Sequence, residues 1–265
     1  MRALVRTMTL AVSVGMLLAV SGCYGSIVSV AKCAAKYKTC KSVEQDFAAG
    51  SMLRVRNDFG PISVSGDNTS TCEIVGRIYV DAPTKREAEE IAEQVQLVAE
   101  PNEGVLFVTV TKPDLEEHRS VWVDLDILAP SKVQVDCQTE FGRIKLVGIE
   151  GDICAHTEFG PVTCEEITSG DITVKSEFGG INITCSEACP ADLVADVRTE
   201  YGRVRFRAPE AFEGELDLGT EFGSTRAKIP VASYSEWTDD RKIATTGSGK
   251  GRLSLHTEFG AVRLR

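Results

Sequence analysis

The motifs that most often name a chemistry are missing from this chain of 265 residues. It holds three histidines and neither an H-E-x-x-H nor a G-x-S-x-G segment, which excludes a zinc-peptidase helix and a nucleophile elbow. No two of its nine cysteines stand in a Cys-x2-Cys pair, which argues against a structural zinc site. Basic residues are the scarcer charge, 29 against 39 acidic, for a formal net charge of −10, and that balance speaks against nucleic acid as a partner. GSGKG at 247–251 fails the phosphate-loop spacing and has Gly251 where Ser or Thr is required, so it reads as a flexible turn before a final strand. No catalytic residue, metal or cofactor is expected.

One long apolar run is present, TLAVSVGMLLAV, behind Arg2 and Arg6. It is too short for a comfortable membrane span and has the layout of a secretory leader. It ends in VSGC at 20–23, which resembles a bacterial lipobox: a branched apolar residue, two small residues, then the cysteine that is lipidated after cleavage. That resemblance implies a leader over 1–22 and Cys23 as the acylated N-terminus. The chain would then be anchored to a membrane of the bacterial cell envelope without crossing it. Tyr24, in place of an aspartate, implies outer-membrane sorting in a two-membrane cell. Export allows disulfides among the eight remaining cysteines, and the short loops Cys33–Cys40 and Cys185–Cys189 are the local pairs expected.

Residues 23–50 carry Lys32, Lys36, Lys38 and Lys41 without sustained periodicity, and read as a lipidated tether. Its lysines either face anionic headgroups or simply solvate a linker. From Ser51 the texture changes to short alternating runs broken by Gly, Pro, Asn and Asp, as in LRVRNDFGPISVSG and SVWVDLDILAP, which is the pattern of strands and turns. One segment departs from it. TKREAEEIAEQVQLV, 84–98, has Thr84 and Glu87 as a capping box and apolar residues at helical spacing, predicting one amphipathic helix packed on a sheet.

The second half repeats. QTEFG at 138, HTEFG at 156, KSEFG at 175, RTEYG at 198, GTEFG at 219 and HTEFG at 256 follow an earlier NDFG at 57. The aromatics Phe141, Phe159, Phe178, Tyr201 and Phe222 lie 18 to 23 residues apart, and Phe259 follows after 37. A period near 20 predicts an all-β, solenoid or β-helix-like domain over 51–265 built of TEFG rungs. Alternation places the threonine and aromatic columns in the core, the glycines at a corner where the phase shifts, and Glu140, Glu158, Glu177, Glu200, Glu221 and Glu258 outside, about 4.8 Å apart.

Two readings of that glutamate ladder follow. It is either a surface row neutralised by Lys175, Arg198, Lys145, Arg205, Arg226 and Arg263, or a stripe that binds cations or a polar ligand. Calcium needs six to eight converging oxygens, and a ladder supplies them in a line. His156 and His256, laid out in chain order, would lie four rungs or about 19 Å apart, too far to share a metal or a proton. The insertion 228–252 carries Tyr234 and Trp237, which either bind a partner or cap the end of the stack.

LRVRNDFGPISVSG, the helix-bearing segment, VDLDILAP and the tandem TEFG-x-[IV] rungs ending in HTEFGAVRLR resemble the bacterial DUF4097 family of adhesin-type β-solenoid domains over 51–265. The resemblance implies an envelope-located, repetitive β domain of unassigned activity, and together with the lipobox it leads to the expectation of a lipid-anchored, non-enzymatic module that contacts envelope protein or glycan. Two other classes stay open: a polysaccharide-cleaving enzyme using paired carboxylates, and a cation-dependent assembly module.

Overall fold

The structure, a computed structural model, describes residues 6–8, 35–247 and 249–265. The leader segment beyond 6–8, Cys23 and Cys33 lie outside them. Among the described residues the protein is nearly all β, with twenty strands joined in one hydrogen-bonded sheet and a single helix. No described helix is long and apolar enough to cross a membrane.

From Gln134 onward the chain lays down two stacks of parallel strands. The first runs through Gln134–Phe141, Ile153–Phe159, Asp171–Phe178 and Val194–Tyr201, each pairing in parallel with the next. The second runs through Ile144–Val147, Val162–Ile167, Ile181–Cys185 and Val204–Arg207. The first stack keeps its register, with Ala155 opposite Cys137 and Val174 and Phe159 opposite Phe141 and Phe178; the second shifts once, between Cys164 and Ile167. The inward positions of both stacks are buried, including the phase-shifted pairs such as Ile144 with Leu146 and Val204 with Phe206. These side chains form one core.

The last rungs do not follow chain order. The long strand Gly251–Leu264 inserts between Val194–Tyr201 and Gly214–Ala227, pairing in parallel with both. His256 therefore stands three rungs from His156, with Lys175 and Arg198 between, instead of four. Gly214–Ala227 becomes the outer rung. Its free edge is covered by the antiparallel strand Arg241–Thr246, itself paired with Ser233–Trp237. The insertion thus continues the sheet past Gly214–Gly219 by two antiparallel strands, with Ser233–Trp237 last among the described residues.

At the other end the sheet turns antiparallel. Met52–Phe59 and Ile62–Asp67 extend the two stacks and pair in parallel with Val105–Thr111 and Ser120–Pro130. Thr71–Ala82 then pairs antiparallel with Ser120–Pro130 on one side and with Ala35–Asp46 on the other. The short strand Arg6–Met8 pairs with Cys40–Ser42.

The strand Ala35–Asp46 corrects the expectation of a tether reaching to residue 50. Its pattern is hidden because Lys41, on the parity of Tyr37 and Val43, points inward for a specific purpose. Its ammonium donates to the carbonyl oxygens of Glu93 at 3.0 Å and of Val95, at the end of the helix Lys85–Gln94. That helix has no basic residue in its own last turn, so Lys41 satisfies the orphan carbonyls and the negative end of the dipole. Burial holds the Lys41 ammonium below its ordinary pKa, partly offset by Glu93. Lys38 lies over the Tyr79 ring at 4.8 Å.

The helix starts as read, with the Thr84 hydroxyl accepting from the Glu87 backbone N–H at 3.2 Å, but ends at Gln94 instead of Val98. Val98 belongs to the next strand, Gln96–Asn102. The Glu87 carboxylate forms no capping box: it accepts from Arg119 Nε at 2.5 Å.

The cysteines also depart from expectation. Cys40, Cys72, Cys137, Cys154, Cys164, Cys185 and Cys189 are all free thiols. Cys185 and Cys189 share a hydrogen bond that pushes the Cys185 pKa up, and the Cys189 thiol also donates to the Ile167 carbonyl at 3.1 Å. Cys72, Cys137 and Cys164 serve as small core residues. Burial raises Cys72 and Cys164 to about 12, which leaves them unreactive at neutral pH.

Candidate functional site: the rung corner and its outer columns

The repeated pentapeptide is first a corner. In each rung the threonine or serine, buried except for the half-buried Thr220, donates its hydroxyl to the glycine carbonyl of the rung before: Thr139 to Gly60 at 3.2 Å, Thr157 to Gly142 at 2.9 Å, Ser176 to Gly160 at 3.1 Å, Thr199 to Gly179 at 2.8 Å. Thr257 closes on Gly202 at 2.9 Å and Thr220 on Gly260 at 3.1 Å, following the inserted order. The glycine N–H donates onward, as Gly142 does to the Phe159 carbonyl at 3.0 Å. A Cβ on Gly160 would sit 2.2 Å from the Gly142 oxygen, so no larger residue fits without moving backbone.

The aromatic column is the main correction to the sequence reading. Phe59, Phe141, Phe159, Phe178, Tyr201, Phe259 and Phe222 do not face the core; each is 41 to 63% exposed. They stack face to face along the outside of the corner, with centroids 4.7 to 5.0 Å apart and interplanar angles of 0 to 9°. Strand pairing skips the glutamate between threonine and aromatic, so the inward–outward alternation breaks there and the ring at the strand's last residue lies outward. At one end Lys112 Nζ lies 4.7 Å over the Phe59 ring and 3.9 Å from Asp58. At the other end Phe222 is the most exposed ring of the series.

The glutamates lie outside as expected, beside this column, with Glu140, Glu200, Glu221 and Glu258 exposed and Glu158 and Glu177 half-buried. None of the six makes an ion pair with a described residue. The cations assigned to neutralise them are engaged elsewhere or face one another: Lys145 pairs with Glu165 at 3.0 Å and Arg198 with Asp196 at 2.8 Å. Among the described residues no cluster of three or more His, Cys, Asp or Glu converges as metal ligands would.

Near the C-terminal end the glutamate row borders a groove of about 690 Å3 lined by Glu177, Glu200, Glu258, Arg198, His256 and Arg241 among others. His256 Nε2 lies 3.6 Å from Asp217, which also accepts from Arg241 at 3.1 Å. Burial lowers the His256 pKa; Asp217 opposes that, and Arg198 and Arg241 reinforce it. The ring crosses the neighbouring rung where Gly219 replaces the usual side chain: a Cβ there would lie 2.6 Å from His256 Nδ1. His156 and His256 are not brought together: Lys175 and Arg198 stand between them.

Tyr234 and Trp237 sit on the strand Ser233–Trp237 of the covering hairpin. Their centroids are 6.0 Å apart, and Tyr234 is 69% exposed. Lys242 approaches the Trp237 ring at 5.1 Å. Their strand is the last of the sheet at this end among the described residues, and their rings stay partly in solvent.

No family model and no curated protein matches the chain. Solved structures it is similar to include a candidate cell adhesion protein from Clostridium sporogenes, at 13% identity and TM-score 0.49, covering 87% of this chain and 99% of that one. A candidate adhesin from Bacteroides fragilis follows at 11% identity and TM-score 0.32, covering 85% and 97%. A candidate lipid binding protein from Parabacteroides distasonis has 8% identity and TM-score 0.26, covering 85% and 96%.

Proposed function

We propose that this chain is a non-enzymatic binding module of the bacterial cell envelope, held there by lipid on Cys23, whose TEFG rungs coil as a β-solenoid and present the aromatic column to an extended glycan or protein partner. The column carries the reading. Seven rings in unbroken contact, each about half exposed, form an apolar ribbon far longer than the scattered exposed hydrophobics of an ordinary surface. A flat face on one side and acceptor carboxylates alongside suit a partner with apolar faces and donor groups, as sugars and exposed peptide strands both have. The carboxylates recur identically on every rung, which suits repetitive contact and singles out no acid–base pair.

The test is a pull-down of envelope glycans and envelope proteins with the full-length chain in detergent, against a Phe159→Ala/Phe178→Ala variant whose folding is checked by thermal unfolding. A folded variant that loses the captured partner supports the column; capture at full strength removes it. Lipidation is read separately by metabolic acyl labelling, which Cys23→Ser should abolish.

A further inference from the structure

The second parallel stack carries a feature that neither the rung corner nor the glutamate row explains. On its last three rungs Arg205, Arg263 and Arg226 lie side by side in register. Two residues further on stands another cation, Arg207 at its strand's end and Arg265 and Lys228 just past theirs, where Lys228 N–H still donates to the Leu264 carbonyl and Arg265 N–H to the Phe206 carbonyl. Residues two apart in a strand share a face, and the residues between them, Phe206, Leu264 and Ala227, pack inward on the core. The result is a grid of two columns and three rows, with rows about 4.8 Å apart and columns about 6.6 Å apart.

None of these six cations makes an ion pair with any described residue. Like charges directly opposite on neighbouring strands repel, and a chain with 39 acidic side chains could have interleaved them, as Lys145 with Glu165 does three rungs away. The crowding is felt at Arg263, whose pKa is lowered by Arg203, Arg205, Arg226 and Arg265. Five of the six line a groove of about 940 Å3 with an apolar floor that includes Phe212, Ile229 and Pro230. Two acids reach the same groove, Glu187 and Glu210. The Glu187 carboxylate is already taken by the Glu210 backbone N–H at 2.9 Å.

We infer that this groove binds an anionic glycan, its oxyanions seated on the arginine grid and its ring faces on the apolar floor. Guanidinium groups offer paired N–H donors that match carboxylate and phosphate geometry, so a line of them reads oxyanions in series. A recessed groove favours a polymer strand over a membrane, which presents a plane. A chain of net charge −10 also tolerates a sparsely charged glycan better than nucleic acid, whose duplex carries a charge every ~1.7 Å. This site lies on a different stack from the aromatic column and stands or falls apart from it.

The experiment measures binding of the full-length chain, in detergent, to polygalacturonate (carboxylate), a glycerol-phosphate polymer (phosphodiester), neutral dextran, and vesicles containing phosphatidylglycerol. Expected is binding to one or both anionic polymers and not to dextran, weakening as salt rises. Arg205→Gln/Arg263→Gln should reduce that affinity at least tenfold while leaving the melting temperature unchanged or higher, since repulsion is relieved. Arg143→Gln, on the same stack but outside the grid, should change nothing. Phe178→Ala should leave polygalacturonate or phosphate-polymer binding intact, which separates this site from the aromatic one. Equal binding to dextran, full affinity in the double variant, or arginine-dependent binding to vesicles alone would each overturn the proposal.

Discussion

The two halves of the sheet solve the same packing problem differently. Between Ala35 and Pro130 the strands run largely antiparallel, each with its own sequence, and a helix pinned by Lys41 covers part of the sheet. From Gln134 onward parallel rungs stack in the first column of strands in constant register, so the paired residues of one rung meet their counterparts in the rungs beside it. Stacking forces chemical columns: what one rung places outside, all rungs place outside. A buried column becomes a hydroxyl ladder, and exposed columns become a ribbon of rings, a row of carboxylates and a grid of arginines. Asn57 joins the halves, donating to the Val123 carbonyl of the neighbouring strand at 2.8 Å, as a rung threonine does to the glycine carbonyl of the rung before, and to Gly60, its own corner glycine, at 3.1 Å, as none does.

The sharpest way to break this contrast is one substitution made in both halves. Gly160→Ala puts a methyl 2.2 Å from the Gly142 oxygen and against the backbone of Gly142 and Arg143, where no flexible side chain can yield. It should cost about 3 kcal/mol or more in chemical denaturation. Gly76→Ala, in the antiparallel strand Thr71–Ala82, meets only side chains of Leu97 and Val123 at 3.4 Å and should stay within about 1 kcal/mol of the parent. Comparable losses at both sites would mean that the stacked corner is no tighter than an ordinary strand.

The aromatic column gives the next largest effect. Phe178 contacts a ring on each side, at 5.0 and 4.9 Å. Phe178→Ala removes two stacks worth ~0.5–1.5 kcal/mol each, so a loss near 2 kcal/mol is expected. In the antiparallel half Tyr79 and Trp122 form a single stacked pair at 5.4 Å, and Tyr79→Ala should lose about half of that, as measured by urea unfolding.

How much of this was legible beforehand follows from the same contrast. The hydroxyl ladder and the glycine corner were readable, because a column repeated six times declares its parity. So was the helix start, through Thr84. The outward turn of the rings was not: parity assumes regular alternation, and pairing that skips Glu158 breaks the alternation just before Phe159. Insertion of Gly251–Leu264 between earlier rungs was hidden too, since HTEFG and GTEFG fit either order. Only the clash of a Gly219 side chain with the His256 ring, a relation across 37 residues, tells which rung lies beside which. The strand Ala35–Asp46 escaped because the lysine that breaks its pattern answers a helix end more than fifty residues away. The arginine grid was visible as letters but was assigned to the glutamates, which it does not meet.

A smaller effect is expected from the buried hydroxyls. Thr157→Val keeps the shape and removes the donor to the Gly142 carbonyl, leaving a half-buried acceptor short of a partner at a cost of about 1 kcal/mol. Thr157→Ser keeps the hydrogen bond and should recover most of that stability in the same assay, unless the methyl group, and not the hydroxyl, holds the corner.

The smallest effect is also the most specific, and it compares the two halves by pH. His256 sits among Asp217, Asp196, Arg198 and Arg241, and burial together with the two guanidiniums holds its pKa below the ordinary value of about 6.5 despite both carboxylates. The folded chain therefore binds fewer protons than the unfolded chain once pH falls below that ordinary value. Its contribution is fully present above about pH 6.5 and is lost as pH falls toward the folded-state pKa. Urea midpoints taken between pH 7.5 and 5.5, before most carboxylates titrate, should drift downward in the parent and flatten in His256→Gln. His118, exposed in the loop of the antiparallel half, is the control, and His118→Gln should leave the drift in place. A drift that survives His256→Gln would place the titrating group elsewhere, and with it the claim that the insertion of the last rung built a charged site around this ring.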